Sequence, residues 1–256
     1  MLQAHSFLWN YLWVAPNLLF LSLAVVLWKK GLRREFPAFL AFAILSSLGD
    51  LAVFVADVTP SVGALDFWRI DWINLLIESL LKFLVIGEVF SRVFNPYSSV
   101  SKVGRFMISG LGAMLTLSAA LLAGFSRGDS PVPLIAGAHL LEQTVFIIES
   151  GLIVFLFLFA AYFRMNWDRQ SFGILLGLGI SACEHLAAWA LVANAGLSSQ
   201  GRTFVDFMDM ATFHVCVLIW SYYLLVPGKV SNRRPAAPPE HSLEVWNREL
   251  ERLLQQ

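Results

Sequence analysis

The chain has 256 residues, of which 57% are hydrophobic and only 14% are charged. Soluble domains carry about 25% charged residues, so this composition excludes an ordinary soluble fold and favours several membrane spans. The formal net charge of +0 excludes nucleic-acid binding driven by a basic excess, and no nucleic-acid partner is predicted.

Long apolar runs follow one another along the chain, and each is about 20 residues or longer, enough for a helix to cross a bilayer. They lack the period-two alternation of a membrane barrel strand. The sequence therefore predicts an all-α fold, a polytopic membrane protein with a bundle of seven transmembrane helices. In chain order, the predicted spans are Ser6–Trp28, Phe36–Asp57, Trp72–Phe94, Phe106–Phe125, Leu134–Phe163, Ser171–Asn194 and Phe204–Val226.

Basic residues concentrate in alternate connections and after the last span. Because cytoplasmic loops are enriched in Lys and Arg, we expect the N-terminus outside and the C-terminus inside the cell inner membrane. The start of the chain has no basic region and no clear cleavage site, so we expect the first span to be retained. The basic residues on the predicted inner side are Lys29, Lys30, Arg33, Arg34, Arg92, Lys102, Arg105, Arg164, Arg169, Lys229, Arg233 and Arg234.

The chain changes character after the seven-helix domain, which we assign to residues 1–227. Residues 228–241 are polar and proline-rich, which is typical of a linker. Residues 242–256 place leucines and one tryptophan on a common face, which predicts a short cytoplasmic amphipathic helix. A helix that lies on a membrane surface is usually basic, and this one is slightly acidic. We therefore expect it to dock on the bundle, on a protein partner, or on a second copy of the chain.

Titratable residues inside the predicted spans form the candidate site. Such groups are costly in hydrocarbon, so they face the bundle interior or a water-filled cavity and pair with one another. Their positions within the spans place most of them between the middle and the outer end of the bundle. We expect them to form an acidic cavity that binds a proton, a cation or a small ligand. The predicted binding residues are Asp50, Glu78, Lys82, Glu142, Glu149, Glu184, His185, Asp209 and His214.

Simpler interpretations exist for several polar residues. Glu78 and Lys82 have the spacing and order of an intrahelical ion pair, which would be purely structural. Asp206 and His139 lie near the predicted outer surface, where water would reach them. Interhelical hydrogen bonds that hold the bundle together are an alternative for the deeper carboxylates.

Small residues within the spans indicate packing rather than chemistry. The glycines of FGILLGLGI, at Gly173, Gly177 and Gly179, favour close contact between helices, and their spacing inside a span carries no nucleotide signal. Cys183 and Cys216 also fall within apolar runs, and we expect two unpaired thiols rather than a disulfide.

Four stretches of the chain are similar to those of a known group: KFLVIGEVFSRVFNPY, FGILLGLGI, VCVLIWSYYLLVP and EVWNRELERLLQ. Together they resemble a bacterial family of uncharacterised seven-span inner-membrane proteins with no assigned activity. The resemblance covers most of the chain. It implies the fold and the location, and it brings neither a cofactor nor a site residue.

Better-known seven-span families fit less well. A retinal protein needs a lysine within its seventh helix, and Phe204–Val226 contains none, so retinal is not expected. Metal-dependent ceramidase-like hydrolases carry histidines four residues apart on a late helix. His214 has Met210 and Leu218 at those positions, so this pattern is missing. If zinc binds at all, the candidate ligands are His185, His214 and Glu184, from separate helices.

Three functions remain as hypotheses. The first is a binding protein whose polar cavity serves sensing or transport, with no cofactor and without enzymatic activity. The second is a structural or assembly subunit whose polar layer only fixes helix packing. The third is a metal-dependent membrane hydrolase that acts on a lipid, with a metal-bound water as the nucleophile.

Overall fold

The computed structural model describes residues 5–94, 133–162, 167–195 and 199–227, with single residues between 104 and 117 and at 248 and 252. Apart from one 3-10 turn at Leu32–Arg34, the ordered elements in these ranges are α-helices. They are α1 (Phe7–Lys29), α2 (Pro37–Val58), α3 (Ala64–Val93), α4 (Pro133–Tyr162), α5 (Arg169–Ala195) and α6 (Ser199–Leu225). Most of the predicted span Phe106–Phe125, the linker 228–241 and nearly all of 242–256 lie outside the described residues.

These helices coincide with the first three and the last three predicted spans. The largest difference is in α3, which begins at Ala64 rather than at Trp72. The hydropathy criterion left out the polar segment LDFWRID and so placed the start of the helix too late. A helix can extend beyond the apolar run that crosses the bilayer. The added turns carry Asp71, which becomes part of the site.

Local sequence signals explain where the first helices start and stop. The Ser6 hydroxyl accepts a hydrogen bond from the Trp9 amide and caps α1. Gly31 has φ +78°, a left-handed conformation that glycine adopts without strain, and it follows the last residues of α1. Pro37 occupies the first turn of α2, where its missing N–H is not needed.

The start of α2 is capped by a side chain from another helix. Phe36 precedes α2 and provides no capping side chain. The buried carboxylate of Glu88 on α3 accepts hydrogen bonds from the Ala38 and Phe39 amides, at 3.0 and 3.1 Å. These amides are among those that an α-helix leaves unpaired at its start. Glu88 therefore joins α3 to α2 while it completes the backbone hydrogen bonding of α2.

The six helices pack as a closed ring. Each of the described helices packs on the next one, including α4 on α3 across the undescribed segment; α3 also contacts α5, and α6 returns to α1. The core contains an aromatic cluster in which the Trp220 ring stacks on Phe20 with centroids 4.8 Å apart. Phe39, Phe42 and Phe213 surround this pair.

Close contact between α5 and α6 depends on two of the predicted glycines. A Cβ at Gly173 would collide with the Tyr223 side chain, and one at Gly177 would collide with the indole of Trp220. The Trp220 indole N–H donates to the Ile174 carbonyl at 3.1 Å, so the ring is held against the α5 backbone. The packing role of these glycines is confirmed.

Within the described ranges, four helices are long and apolar enough to cross a membrane: Phe7–Lys29, Pro37–Val58, Arg169–Ala188 and Gly201–Leu225. Large apolar side chains are exposed on the outside of the bundle, among them Val25, Val55, Val154 and Leu218. Exposed apolar surface of this extent is unfavourable in water and suits lipid. The helices therefore indicate a membrane protein. Cys183 and Cys216 are both free, as expected.

Candidate functional site

A cavity of about 530 Å³ lies between the helices at the end of the bundle where α1 begins, and we call this the cavity end. Every helix from α1 to α6 contributes to its walls. Helices adjacent in the chain run in opposite directions, apart from α3 and α4, which are separated by undescribed residues and both begin at this end. The cavity therefore takes residues from the beginnings of α1 and α3 and from the end of α2. Its polar lining residues are His5, Asn17, Asp50, Asp57, Asp71, Asn74, Glu78, Ser79, Lys82, Ser181, His185, Asp206 and Asp209.

One face of α3 provides a polar stripe along the cavity. Asp71, Asn74, Glu78 and Lys82 are spaced three or four residues apart, which places them on the same side of a helix. The Asn74 amide donates to the Asp50 carboxylate of α2 at 2.8 Å. A Cβ at Gly49 would collide with the Asn74 amide. The glycine before Asp50 therefore makes room for this interhelical hydrogen bond.

Lys82 forms the floor of the cavity. Its side chain is 6% exposed, and its ammonium lies 3.0 Å from Glu78 and 3.7 Å from Glu149 of α4. The same ammonium lies 4.6 Å from the centre of the Phe146 ring. Glu149 is fully buried, and neither of its oxygens has a hydrogen-bond partner in the described part of the protein. Lys82 is thus the cation that compensates the buried Glu149 carboxylate, and the expected Glu78–Lys82 pair is confirmed.

A second group of titratable side chains is centred on His185 of α5. Nε2 of His185 lies 3.0 Å from Asp209 of α6, and Nδ1 lies 3.4 Å from Glu184. Ligand atoms of these three residues lie within 4.8 Å of one another. The His185 ring also stacks on Phe146, with centroids 3.9 Å apart. Phe146 therefore separates the His185 group from Lys82 and contacts both.

Both ring nitrogens of His185 have a polar contact, and the two contacts fix the orientation of the ring. Nδ1 lies 2.9 Å from the Ser181 carbonyl, which can only accept, so Nδ1 carries a hydrogen. Nε2 faces the Asp209 carboxylate at 3.0 Å. His185 therefore links the Ser181 carbonyl of its own helix to the Asp209 carboxylate of α6 at the cavity wall.

The outer part of the cavity combines acidic and aromatic side chains. His5 lies 3.6 Å from Asp57, and His5 is well exposed, which places this pair at the mouth. The aromatic walls are formed by Trp9, Trp13, Phe67, Trp68, Phe146 and Phe213. A ligand that enters from the mouth would meet carboxylates and ring faces together.

Unpaired polar atoms remain around the cavity. Asn17 is 2% exposed and donates through its amide to the Trp13 carbonyl, while its Oδ1 has no hydrogen-bond partner among the described residues. The Trp9 indole N–H also has no hydrogen-bond partner among the described residues, and Asp57 Oδ2 has only the longer contact with His5 at 3.6 Å. Buried polar atoms are usually satisfied, so these unpartnered atoms are unusual among the residues that line the cavity.

The structure brings most of the predicted site residues together. Asp50, Glu78, Lys82, His185 and Asp209 line the cavity. Glu149 and Glu184 lie behind this wall and contact Lys82 and His185 respectively. The side chain of Glu142 lies outside the described residues.

His214 is the exception, since it is not among the residues that line the cavity. It lies five positions after Asp209, which is about 140° around a helix, so the two side chains leave α6 in different directions. The His214 ring lies beside Tyr11, with centroids 6.1 Å apart. The cluster with metal-ligand spacing in the described residues therefore contains Asp209 in place of His214.

Sequence reasoning missed several lining residues. Asp71 precedes the predicted third span, and Asn74 lies in its first turn. Their spacing of seven and four residues from Glu78 places all three on one helix face, and this pattern could have identified them. Asn17 and the tryptophans of α1 carry no charge, so the criterion of titratable residues within the spans does not select them. Only the tertiary structure shows that they surround the same space as the carboxylates.

Comparison with known proteins found no matching family model, no matching curated protein and no matching solved structure. The functional interpretation therefore depends on the geometry of the cavity.

Proposed function

We propose that this protein is a seven-span protein of the cell inner membrane that binds a proton, a cation or a small ligand in the cavity and uses that binding for sensing or transport. The proposal includes membership of the bacterial seven-span family that the sequence resembles. It also includes an N-terminus outside and a C-terminus inside the cell, so that the cavity faces away from the cytoplasm.

The distribution of basic residues supports this orientation. Lys30, Arg92 and Arg169 lie at the end of the bundle opposite the cavity, which we call the basic end. Lys30 donates to the Leu225 carbonyl, and Arg169 donates to the Tyr222 carbonyl. Because basic residues are retained on the cytoplasmic side, the basic end is the inner one in this proposal.

The excess of acid in the cavity is the observation that carries the binding proposal. Carboxylates from α2, α3 and α6 line the space, and the cationic groups beside them are Lys82 and the histidines. Lys82 is already shared by Glu78 and Glu149. The remaining carboxylates need protons or a bound cation, because uncompensated charge at such a site is unfavourable.

Titration of the purified protein tests the proposal. Trp9, Trp13 and Trp68 line the cavity, so their fluorescence reports its charge state. In lipid nanodiscs, we expect a sigmoidal fluorescence change between about pH 4 and pH 9. Asp209→Asn should shift this change, and the exposed Asp66→Asn on α3 should not. Calorimetric titration with Na⁺, Ca²⁺ and Zn²⁺ extends the test to inorganic cations. A cavity that responds neither to pH nor to any of these ions would contradict the proposal.

A metal-dependent lipid hydrolase is the second candidate, and the clustering of Glu184, His185 and Asp209 supports it. One nitrogen and two carboxylate oxygens are ligands that zinc accepts, and zinc at an open site supplies a Lewis acid and a nucleophilic water. The Ser181 carbonyl orients the His185 ring, as carbonyls commonly do for metal-ligating histidines. Stoichiometric zinc in the purified protein that is lost in His185→Gln would favour this function.

A purely structural subunit is the third candidate. The Asn74–Asp50 hydrogen bond and the Lys82 ion pairs join neighbouring helices, as that hypothesis expects. The unpartnered Asn17 oxygen, in a residue that lines the cavity, is not explained by helix packing, and it favours binding.

A further inference from the structure

We propose that the ligand of the cavity is an organic cation, with a primary ammonium group on an apolar body that packs against aromatic rings. The inference rests on the proposed binding function and narrows its ligand to one chemical class. Four features of the cavity carry it: a resident ammonium, the surrounding rings, an unused acceptor and the available volume.

Lys82 shows that the cavity floor accommodates an alkylammonium group. Its Nζ lies between the Glu78 and Glu149 carboxylates and 4.6 Å from the centre of the Phe146 ring. Two carboxylates and one aromatic face therefore surround a primary ammonium on a flexible apolar stem. An external amine would make the same kinds of interaction, with carboxylates and an aromatic ring face, at a position closer to the mouth of the cavity.

The space between Lys82 and the mouth of the cavity is also lined by carboxylates and aromatic rings. No described lysine or arginine occupies this space. Asp50 and Asp71 line this part of the cavity, together with the rings of Trp9, Trp13 and Trp68. Ring faces attract cations, and tryptophan does so most strongly. Carboxylates beside aromatic walls therefore favour a cation that also has apolar surface to bury.

Asn17 adds a requirement for an N–H donor. Its amide group already donates to the Trp13 carbonyl, which leaves Oδ1 as an acceptor. That oxygen belongs to a residue of the cavity lining, and it has no hydrogen-bond partner among the described residues. A primary ammonium offers three N–H donors, enough for a carboxylate and for Asn17 at the same time.

The size of the cavity argues against an inorganic ion as the main occupant. Small-molecule sites typically enclose about 300–1,000 Å³, and this cavity of about 530 Å³ lies within that range. Mg²⁺ and Ca²⁺ bind oxygen ligands at about 2.0–2.6 Å and gain nothing from tryptophan walls. The chemistry of the whole lining is therefore better matched by an amine.

Benzylammonium and its neutral analogue benzyl alcohol provide the test, since they share an aromatic body and differ in charge. Binding to the full-length protein in nanodiscs is measured by calorimetry and by tryptophan fluorescence. We expect saturable benzylammonium binding at least about tenfold tighter than that of benzyl alcohol, since a desolvated cation–π contact with a carboxylate partner has this magnitude.

Matched variants locate the binding. Asp71→Asn and Trp68→Leu remove a cavity charge and a cavity ring, and each should weaken benzylammonium binding at least about fivefold. Asp66→Asn lies on the same helix outside the cavity, and Trp28→Leu removes an exposed ring at the basic end. Both controls should bind as the wild type does. Gel filtration and circular dichroism verify that each variant is folded.

The outcomes separate this inference from the proposed function. Equal binding of benzylammonium and benzyl alcohol, or equal loss in the cavity variants and their controls, overturns the inference. If no amine binds while the cavity still responds to pH or to inorganic cations, the inference fails and the proposed function stands. If neither amines, protons nor inorganic cations have an effect, both fail.

Discussion

The two ends of this helical bundle use the same kinds of charged residues in opposite ways. At the basic end, Arg92 pairs with Glu35 at 2.6 Å and contacts Asp168 at 3.7 Å, and Glu88 caps α2. At the cavity end, carboxylates from several helices surround an open space, and Asn17 has an unused acceptor. Charged groups at the basic end tie segments together, whereas those at the cavity end are arranged around a volume that no described side chain fills.

This difference between the two ends indicates which buried polar groups are candidates for function. Polarity alone does not distinguish the two ends, because Glu88 is as buried as many cavity residues. What differs is that titratable side chains from α2, α3, α5 and α6 surround one shared cavity at the cavity end. Four substitutions test this comparison, and they follow from the largest expected effect to the smallest.

Lys82→Met should give the largest loss of stability. It leaves the fully buried Glu149 without its cation, and breaking a buried ion pair in this way costs about 3–5 kcal/mol. Unfolding in detergent, followed by circular dichroism, measures the loss. The double variant Lys82→Met/Glu149→Gln should recover most of it, and Lys30→Met at the exposed basic end should have little effect. A single variant as stable as Lys30→Met would show that the pair is not buried.

Glu88→Ala should destabilise the protein by about 3 kcal/mol, because two backbone amides of α2 lose a charged acceptor. The midpoint of thermal unfolding measures this change. The folded variant should keep the fluorescence response of the cavity to pH, since Glu88 lies at the opposite end. Glu35→Ala, which removes an exposed carboxylate from the same end, is the control. Loss of the pH response in folded Glu88→Ala would contradict the separation of the two ends.

Gly177→Ala should cost about 1–3 kcal/mol, because the added Cβ collides with the Trp220 indole and forces α5 and α6 apart. Gly151→Ala is the matched control, since a Cβ there meets nothing within 4 Å. The control should be neutral or slightly more stable, because alanine favours the helix. Chemical unfolding of both variants in the same detergent gives the difference. Equal stabilities would mean that Gly177 does not set the contact.

Arg92→Gln should have the smallest effect, below about 1 kcal/mol, because its ion pairs with Glu35 and Asp168 are partly exposed. The difference from the wild type should shrink further in about 1 M salt, which screens exposed charges. Thermal unfolding at low and high salt checks both statements. A large effect that does not depend on salt would show that Arg92 forms a buried ion pair rather than a surface one.

The sequence predicted much of the helical fold and part of the site. The apolar runs predicted the described helices to within a few residues, except for the start of α3. Asp50, Glu78, Lys82 and Asp209 were predicted and do line the cavity. These predictions succeeded because apolar periodicity and the cost of buried charge act locally, and both can be recognised in a single stretch of chain.

The errors have a common cause. The position of a residue along a helix predicts its depth in the bundle, but it does not predict the direction in which the side chain leaves the helix. His214 lies at a suitable depth, but its ring lies beside Tyr11 and it is not among the residues that line the cavity. Asn17 and Trp9 are uncharged, so nothing in the sequence marked them as partners of the carboxylates. The orientation of each helix about its axis depends on contacts such as that of Gly177 with Trp220, which join distant parts of the chain.

By itself, the sequence determined that this chain forms long apolar helices suited to a membrane, because hydrophobicity is set by composition over about 20 consecutive residues. It also determined that carboxylates had to be accommodated within those helices. The tertiary structure alone decided which of them found a partner, as Glu149 did in Lys82, and which came to line a cavity with Trp9 and Asn17. The reason is that pairing and cavity formation depend on the distances between helices, and these follow from packing across the whole bundle.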